Sequence, residues 1–256
     1  MQLRDMPQNI RLLVEYDGTP YVGWQLQDGL PTVQGELLTA LRSITGEADL
    51  QLNVAGRTDA GVHAYGQVVS FLTRYPKEPR RLAPALNFYL PSTIRIHRAE
   101  GVPDDFDARR SAKGKRYRYR VYSGPHPLAV ERDRVWHVRR HLNLDAMRQA
   151  AAHLIGELDF ESFRSSHCDA AHAVRTMFAI PVEVQPRPPV GSLVDITFHA
   201  NAFCRHMCRI LAGTLVEVGA GKRTPADVAH VLARQERAAA GITAPPAGLT
   251  LLEVFY

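Results

Sequence analysis

Ile10-Arg-Leu-Leu-Val-Glu-Tyr16 alternates, with Ile10, Leu12, Val14 and Tyr16 on one face and Arg11 and Glu15 on the other. A two-residue period is the mark of a strand that buries one side. Asp17-Gly18 ends this strand as a turn. Thr32 then stands where a helix cap belongs, ahead of Val33, Leu37, Leu41 and Ile44 at helical spacing, and Gly46 closes that helix. Tyr65 to Thr73 reads as a second strand in a largely apolar run. Ile94 and Ile96 mark a shorter one before Gly101-Val-Pro103.

The second half repeats the rhythm. Tyr117 to Tyr122 alternates aromatic and basic residues, as a strand would, and Arg134 to Val138 offers it a partner. Asn143 caps a helix with Leu144, Met147, Ala151 and Leu154 on one stripe, ended by Gly156. Phe178 to Val184 and Leu193 to Phe198 read as strands joined by Gln185-Pro-Arg-Pro-Pro189. A helix is predicted from about Phe203 to Val218, a shorter one from Thr224-Pro225, and a last strand from Leu249 to Phe255. Strands and helices mix without the regular alternation of a doubly wound sheet. The reading is α+β, in two similar subdomains, 1–105 and 106–256, with the boundary near Pro103 to Phe106.

With 256 residues the chain is long enough to build its core without disulfide or metal staples. A hydrophobic fraction of 45% and a charged fraction of 22% exclude disorder, collagen and coiled coil. Three cysteines, Cys168, Cys204 and Cys208, cannot all pair. No charged-then-apolar leader precedes Arg4 and Asp5, and no apolar run of about 18 residues is present to span a bilayer. The expectation is a reduced, cytoplasmic protein without a membrane partner. The net charge of +5 points toward an anionic partner.

That charge is densest from Arg109 to Arg120, where seven of twelve residues are Lys or Arg and none is acidic. On a strand Arg116, Arg118 and Arg120 share one face, and Tyr117 and Tyr119 the other. Cations that grip phosphates beside a ring that stacks on a base make up a nucleotide-binding surface. A solvated edge strand with core tyrosines is the alternative. Gly56-Arg57-Thr58-Asp59-Ala60-Gly61-Val62-His63-Ala64 packs small residues around an Arg, an Asp and a His. A carboxylate held beside a cation stays ionised and can serve as nucleophile, base or metal ligand; a tight structural turn would read the same way. On the predicted long helix Arg205 and Arg209 stand four apart, a repulsive spacing that an anion would relieve and solvent would tolerate.

Other motifs fail. Helical geometry points His206 away from Cys204 and Cys208, and no second ligand pair follows at finger-like spacing, so no metal is expected. Gly219-Ala-Gly221-Lys222-Arg223 lacks both the first glycine and the final Ser or Thr of a phosphate loop, so no nucleotide cofactor is expected. No Gly-x-Ser-x-Gly element is present.

Gly56-Arg-Thr-Asp-Ala-Gly-Val-His-Ala64, then Lys115-Arg-Tyr-Arg-Tyr119, then Asn201-Ala-Phe-x-x-His-Met-x-Arg209 resembles the TruA family of tRNA pseudouridine synthases. Tyr16-Asp-Gly-Thr-Pro-Tyr-x-Gly-Trp-Gln25, Asp159-Phe-Glu-Ser-Phe-Arg164 and Gly248-Leu249 add to the likeness, which runs over nearly the whole chain. The resemblance implies that Asp59 is the catalytic aspartate, that Tyr117 packs on the target uracil and that Arg209 is the cation paired with Asp59. It implies that Leu249 completes the apolar wall of the pocket and that Arg57 contacts RNA and holds the nucleotide out of the stack. Arg116 and Arg118 are candidate phosphate contacts from the basic strand. The implied fold is a central antiparallel sheet built from two similar halves flanked by helices, with a basic cleft between them. The implied partner is tRNA, bound by a homodimer, with uridines 38, 39 and 40 of the anticodon arm as targets and no cofactor. The rivals are a non-catalytic RNA-binding module and a carboxylate- or metal-dependent RNA hydrolase.

Overall fold

The computed structural model describes residues 7–256, so Arg4 and Asp5, cited for the missing leader, lie outside the described residues. It is mixed α+β, and the chain divides into two compact units: one runs to Lys113 and takes in Leu251–Tyr256, and the other is Gly114–Thr250.

In the first unit β1 (Gln8–Tyr16), α1 (Val33–Thr45), β2 (Asn53–Val54), β3 (His63–Thr73), α2 (Leu82–Tyr89) and β4 (Ile94–Val102) follow in order. β1 lies between β4 and β3, antiparallel to both, with Leu12 opposite Val69 and Ala99. Ile10, Leu12 and Val14 are fully buried, as their alternation predicts. β2 pairs with β3 from Asn53–Val54. Thr32 caps α1 by accepting the N–H of Gly35, and Gly46 ends it in the left-handed region at φ 74°. α1 packs on α2, and α2 on β4. Leu37, Leu41, Phe71, Leu82 and Leu86 join the core. The expected Ile94 strand is longer than its two isoleucines indicated and runs on through Gly101 to Val102, because pairing with Ile10 and Asn9 holds its end extended.

The second unit contains β5 (Gly114–Ser123), β6 (Trp136–Val138), α3 (Leu144–Ala152), β7 (Gly156–Asp159), β8 (Val174–Ala179), β9 (Val182–Pro186), β10 (Ser192–Ala200), α4 (Met207–Gly219) and α5 (Pro225–Arg234). β10 pairs antiparallel with β5 over nine residues, and also with β8 and β9. β6 joins β5 in parallel, the partnership expected for Arg134 to Val138. The strand expected from Phe178 to Val184 is two strands, β8 and β9, broken at Ile180-Pro181, where proline has no N–H to give a ladder. α3 packs on α4 and α5. Asn143 caps α3 through the N–H of Ala146. The final strand β11 (Leu249–Phe255) begins in this unit and ends in the first.

The long helix is the main correction. α4 begins at Met207, not Phe203, because His206 sits in the left-handed region at φ 62° and interrupts any helix through it. Arg205 is therefore not on the helix with Arg209, and the four-residue helical spacing expected between them is not formed. Its guanidinium donates to His167 O at 3.2 Å instead.

Candidate active site

Asp59 sits at a tight crossing of two loops of the first unit. Residues 17–25 fold against residues 58–63: the N–H of Trp24 donates to Thr58 O at 3.0 Å, and Gly23 forms an isolated antiparallel bridge with Asp59. The approach needs glycine. A Cβ on Gly18 would lie 2.0 Å from Val62 O, and one on Gly23, at φ 114°, 2.8 Å from Thr58 O. The N–H of Val62 donates to Asp59 O at 3.1 Å, and Gly61 turns the chain at φ 74°. Asp59 is half-buried.

A polar network lies beneath this turn. The Thr58 hydroxyl is 2.8 Å from the Tyr16 phenol, and Gln67 Nε2 donates to that phenol and to Gly56 O at 3.3 and 2.8 Å. Gln67 is fully buried and Tyr16 only 2% exposed, so these bonds fix the backbone on both sides of Arg57. His63 Nδ1 accepts the N–H of Gly18 at 3.1 Å and ties the two loops together. Arg57 is exposed and lines a polar cleft of the first unit with Trp24, Asn53, Arg109 and Arg110.

The second unit assembles the other expected residues around β5. Tyr117 and Tyr119 are buried, while Arg116, Arg118 and Arg120 are half-buried, so the strand alternates as its sequence predicts. The Tyr117 ring meets Phe203 edge-on at 5.1 Å between centroids, and its neighbour across the ladder is Phe198. Arg120 is a structural member rather than a free cation: it grips Asp195 with two bonds of 2.7 and 2.8 Å. The sequence run holds no acid, but the neighbouring strand provides one.

Arg209 lies in the first turn of α4, and its Nε donates to Ala244 O at 2.8 Å. The Tyr119 hydroxyl donates to the next carbonyl, Pro245 O, at 2.7 Å. Burial pushes the Tyr119 phenol far up, against a smaller opposing pull from the Arg209 charge. Gly248 rests on Tyr119 and on Arg120 O, leaving no room for a side chain, and delivers buried Leu249 into β11. The structure thus gathers Arg209, Tyr119 and the Ala244–Leu249 segment in one place. That Tyr119 and the Ala244 and Pro245 carbonyls lie beside Arg209 is not evident from the sequence. Their signal was the phase of Tyr119 with Tyr117, which by itself means only a buried face.

Comparison with known proteins places the chain among relatives. The family described as tRNA pseudouridine synthase matches residues 12–109 and 150–256. The chain is 47% identical over 251 residues to a tRNA pseudouridine synthase A of Myxococcus xanthus, covering 98% of this chain and 92% of that protein. It is 43% identical over 249 residues to the protein of that name from Geotalea daltonii, covering 97% of this chain and 100% of that one. A solved Cbf5-Nop10-Gar1 complex aligns over 94% of this chain and 48% of its own at 13% identity, with a TM-score of 0.38, too loose a likeness to bear on function.

Proposed function

The chain belongs to the tRNA pseudouridine synthase family, and from that membership we propose that it converts uridines 38, 39 and 40 of the tRNA anticodon arm to pseudouridine, with Asp59 as the catalytic carboxylate. The observation that carries this reading is the Asp59 turn: a half-buried carboxylate in a loop hemmed in by glycines, beside an exposed arginine, within the matched residues.

The reaction is an isomerisation. The N1–C1′ glycosidic bond breaks, the uracil turns, and a C5–C1′ bond forms; C5 gives up its proton and N1 gains one. No electron is transferred to an outside acceptor and no mass is lost. Asp59 is the group that attacks the sugar or the base, or that takes a sugar proton. A target within a helical arm has to leave its stack, at a cost of about a few kcal/mol. Tyr117 stacks on the swung-out uracil, Leu249 gives it an apolar wall, and Arg57 contacts the RNA and helps hold the nucleotide out of the stack. Arg209 is the cation that the resemblance pairs with the aspartate, and Arg116 and Arg118 are phosphate contacts. The proposal includes a homodimer acting in the cytoplasm.

The test is incubation with an unmodified tRNA transcript followed by site-by-site detection. Pseudouridine at 38–40 with unchanged RNA mass is the expected result. Chelator-sensitive strand cleavage would establish the hydrolase instead, and binding without any product would establish the RNA-binding module.

A further inference from the structure

Arg57 and, from a separate stretch of sequence, the consecutive Arg109 and Arg110 line one cleft of about 270 Å³ in the first unit, with Trp24, Gln25 and Asn53 among its other walls. Among the described residues none of the three guanidinium groups has a hydrogen bond or an ion pair. Asp107 is the acid at this cleft, and its Oδ1 is taken by the N–H groups of Arg109 and Arg110, both at 2.8 Å. It shapes the turn instead of pairing with the side chains.

That turn is anchored. Ala108 is fully buried, its N–H donates to the Ser70 hydroxyl on β3 at 2.9 Å, and its carbonyl accepts the Tyr256 phenol at 2.8 Å. The two arginines therefore project from a fixed backbone, the condition under which a fork of donors meets a phosphate at low entropic cost. Trp24 is 1% exposed and forms a packed part of the wall. Gln25 and Asn53 are exposed and bring side-chain amides, which hold both donors and acceptors.

We propose that this cleft is a second nucleotide subsite, for the RNA residue flanking the target, with Arg109 and Arg110 on its phosphate and Gln25 and Asn53 on its sugar and base edge. The inference rests on the RNA-modifying reading above and names where the neighbouring nucleotide goes. Arg57 and Asp59 are two residues apart, at most about 7 Å along the chain. That is on the order of two stacked nucleotide steps of about 3.4 Å, so the cleft serves a nucleotide within about two steps of the target rather than a remote one. All three arginines are exposed, which suits one contact in a long polyanion better than tight capture of a free mononucleotide.

The test measures KM, kcat and the salt dependence of binding on an unmodified tRNA transcript. The variants are the double substitution Arg109→Gln with Arg110→Gln, the double Lys exchange at the same sites, and Lys77→Gln, an exposed cation of the same unit away from the cleft. The Gln pair is expected to raise KM about tenfold or more, each charge-assisted bond being worth that much, with kcat at saturating RNA within about twofold. Its slope of log K against log salt should fall by about 1.5. The Lys pair should recover the salt slope but only part of the KM, since it keeps charge and loses the fork. An unchanged KM and slope in the Gln pair, or an equal loss in Lys77→Gln, overturns the subsite. If the unsubstituted protein makes no pseudouridine, the function reading itself has failed, and KM is then undefined rather than unchanged.

Discussion

Tyr16 shows how much can depend on one hydroxyl. Its phenol is buried beneath the Arg57–Asp59 turn, and burial pushes it up from 10.0 to about 12, against weaker opposing pulls from its bonds to Thr58 and Gln67. A pKa raised on folding favours the folded state in full below the unfolded value. That advantage is lost as pH rises from 10 through about 12, at about 1.4 kcal/mol per pH unit. Tyr16→Phe should cost about 1 kcal/mol at neutral pH through the lost hydrogen bonds. It should also flatten the alkaline decline by about one proton's worth. Urea unfolding midpoints measured at intervals across that range check both effects. A variant whose stability falls as steeply as the parent's would show that Tyr16 does not carry the titration.

At the scale of elements, helix ends govern where side chains are delivered. Thr224 caps α5 in a complete box: its hydroxyl accepts the N–H of Asp227, and the Asp227 carboxylate accepts the N–H of Thr224. Thr224→Ala should destabilise the protein by about 1 kcal/mol, read from denaturant unfolding. A change below about 0.3 kcal/mol would mean that packing on α3 alone holds α5. Thr32, Asn143, Gly46 and Thr224-Pro225 were all legible as caps because capping is local chemistry, complete within four residues. The start of α4 was not legible. Phe203 and Met207 keep helical spacing across His206, and only the three-dimensional setting imposes the left-handed turn that excludes Arg205 from the helix. β7 and α2 were likewise missed, the first because it has only four residues and the second because Pro84 obscures its pattern. Arg120 was grouped with the free cations because its partner, Asp195, is 75 residues away.

For the molecule as a whole, what was readable was order: which strands and helices follow which. The Asp59 turn and the Tyr117 strand could be picked out because glycine crowding and aromatic–basic alternation leave their mark in consecutive residues. The Arg57–Arg109–Arg110 cleft could not, since its walls come from four separated stretches that only folding gathers. Asp59 belongs to the first unit, while Tyr117, Arg209 and Leu249, the other residues of the proposed catalytic account, belong to the second. The central claim is that one carboxylate does the chemistry while the remaining groups hold RNA. The direct measurement is a single-turnover assay of Asp59→Asn with unmodified tRNA, run beside a binding titration. RNA affinity within about threefold of the parent's, a shift of under about 0.7 kcal/mol, with no pseudouridine formed, is the predicted result. Pseudouridine appearing at the parent's rate would contradict the account.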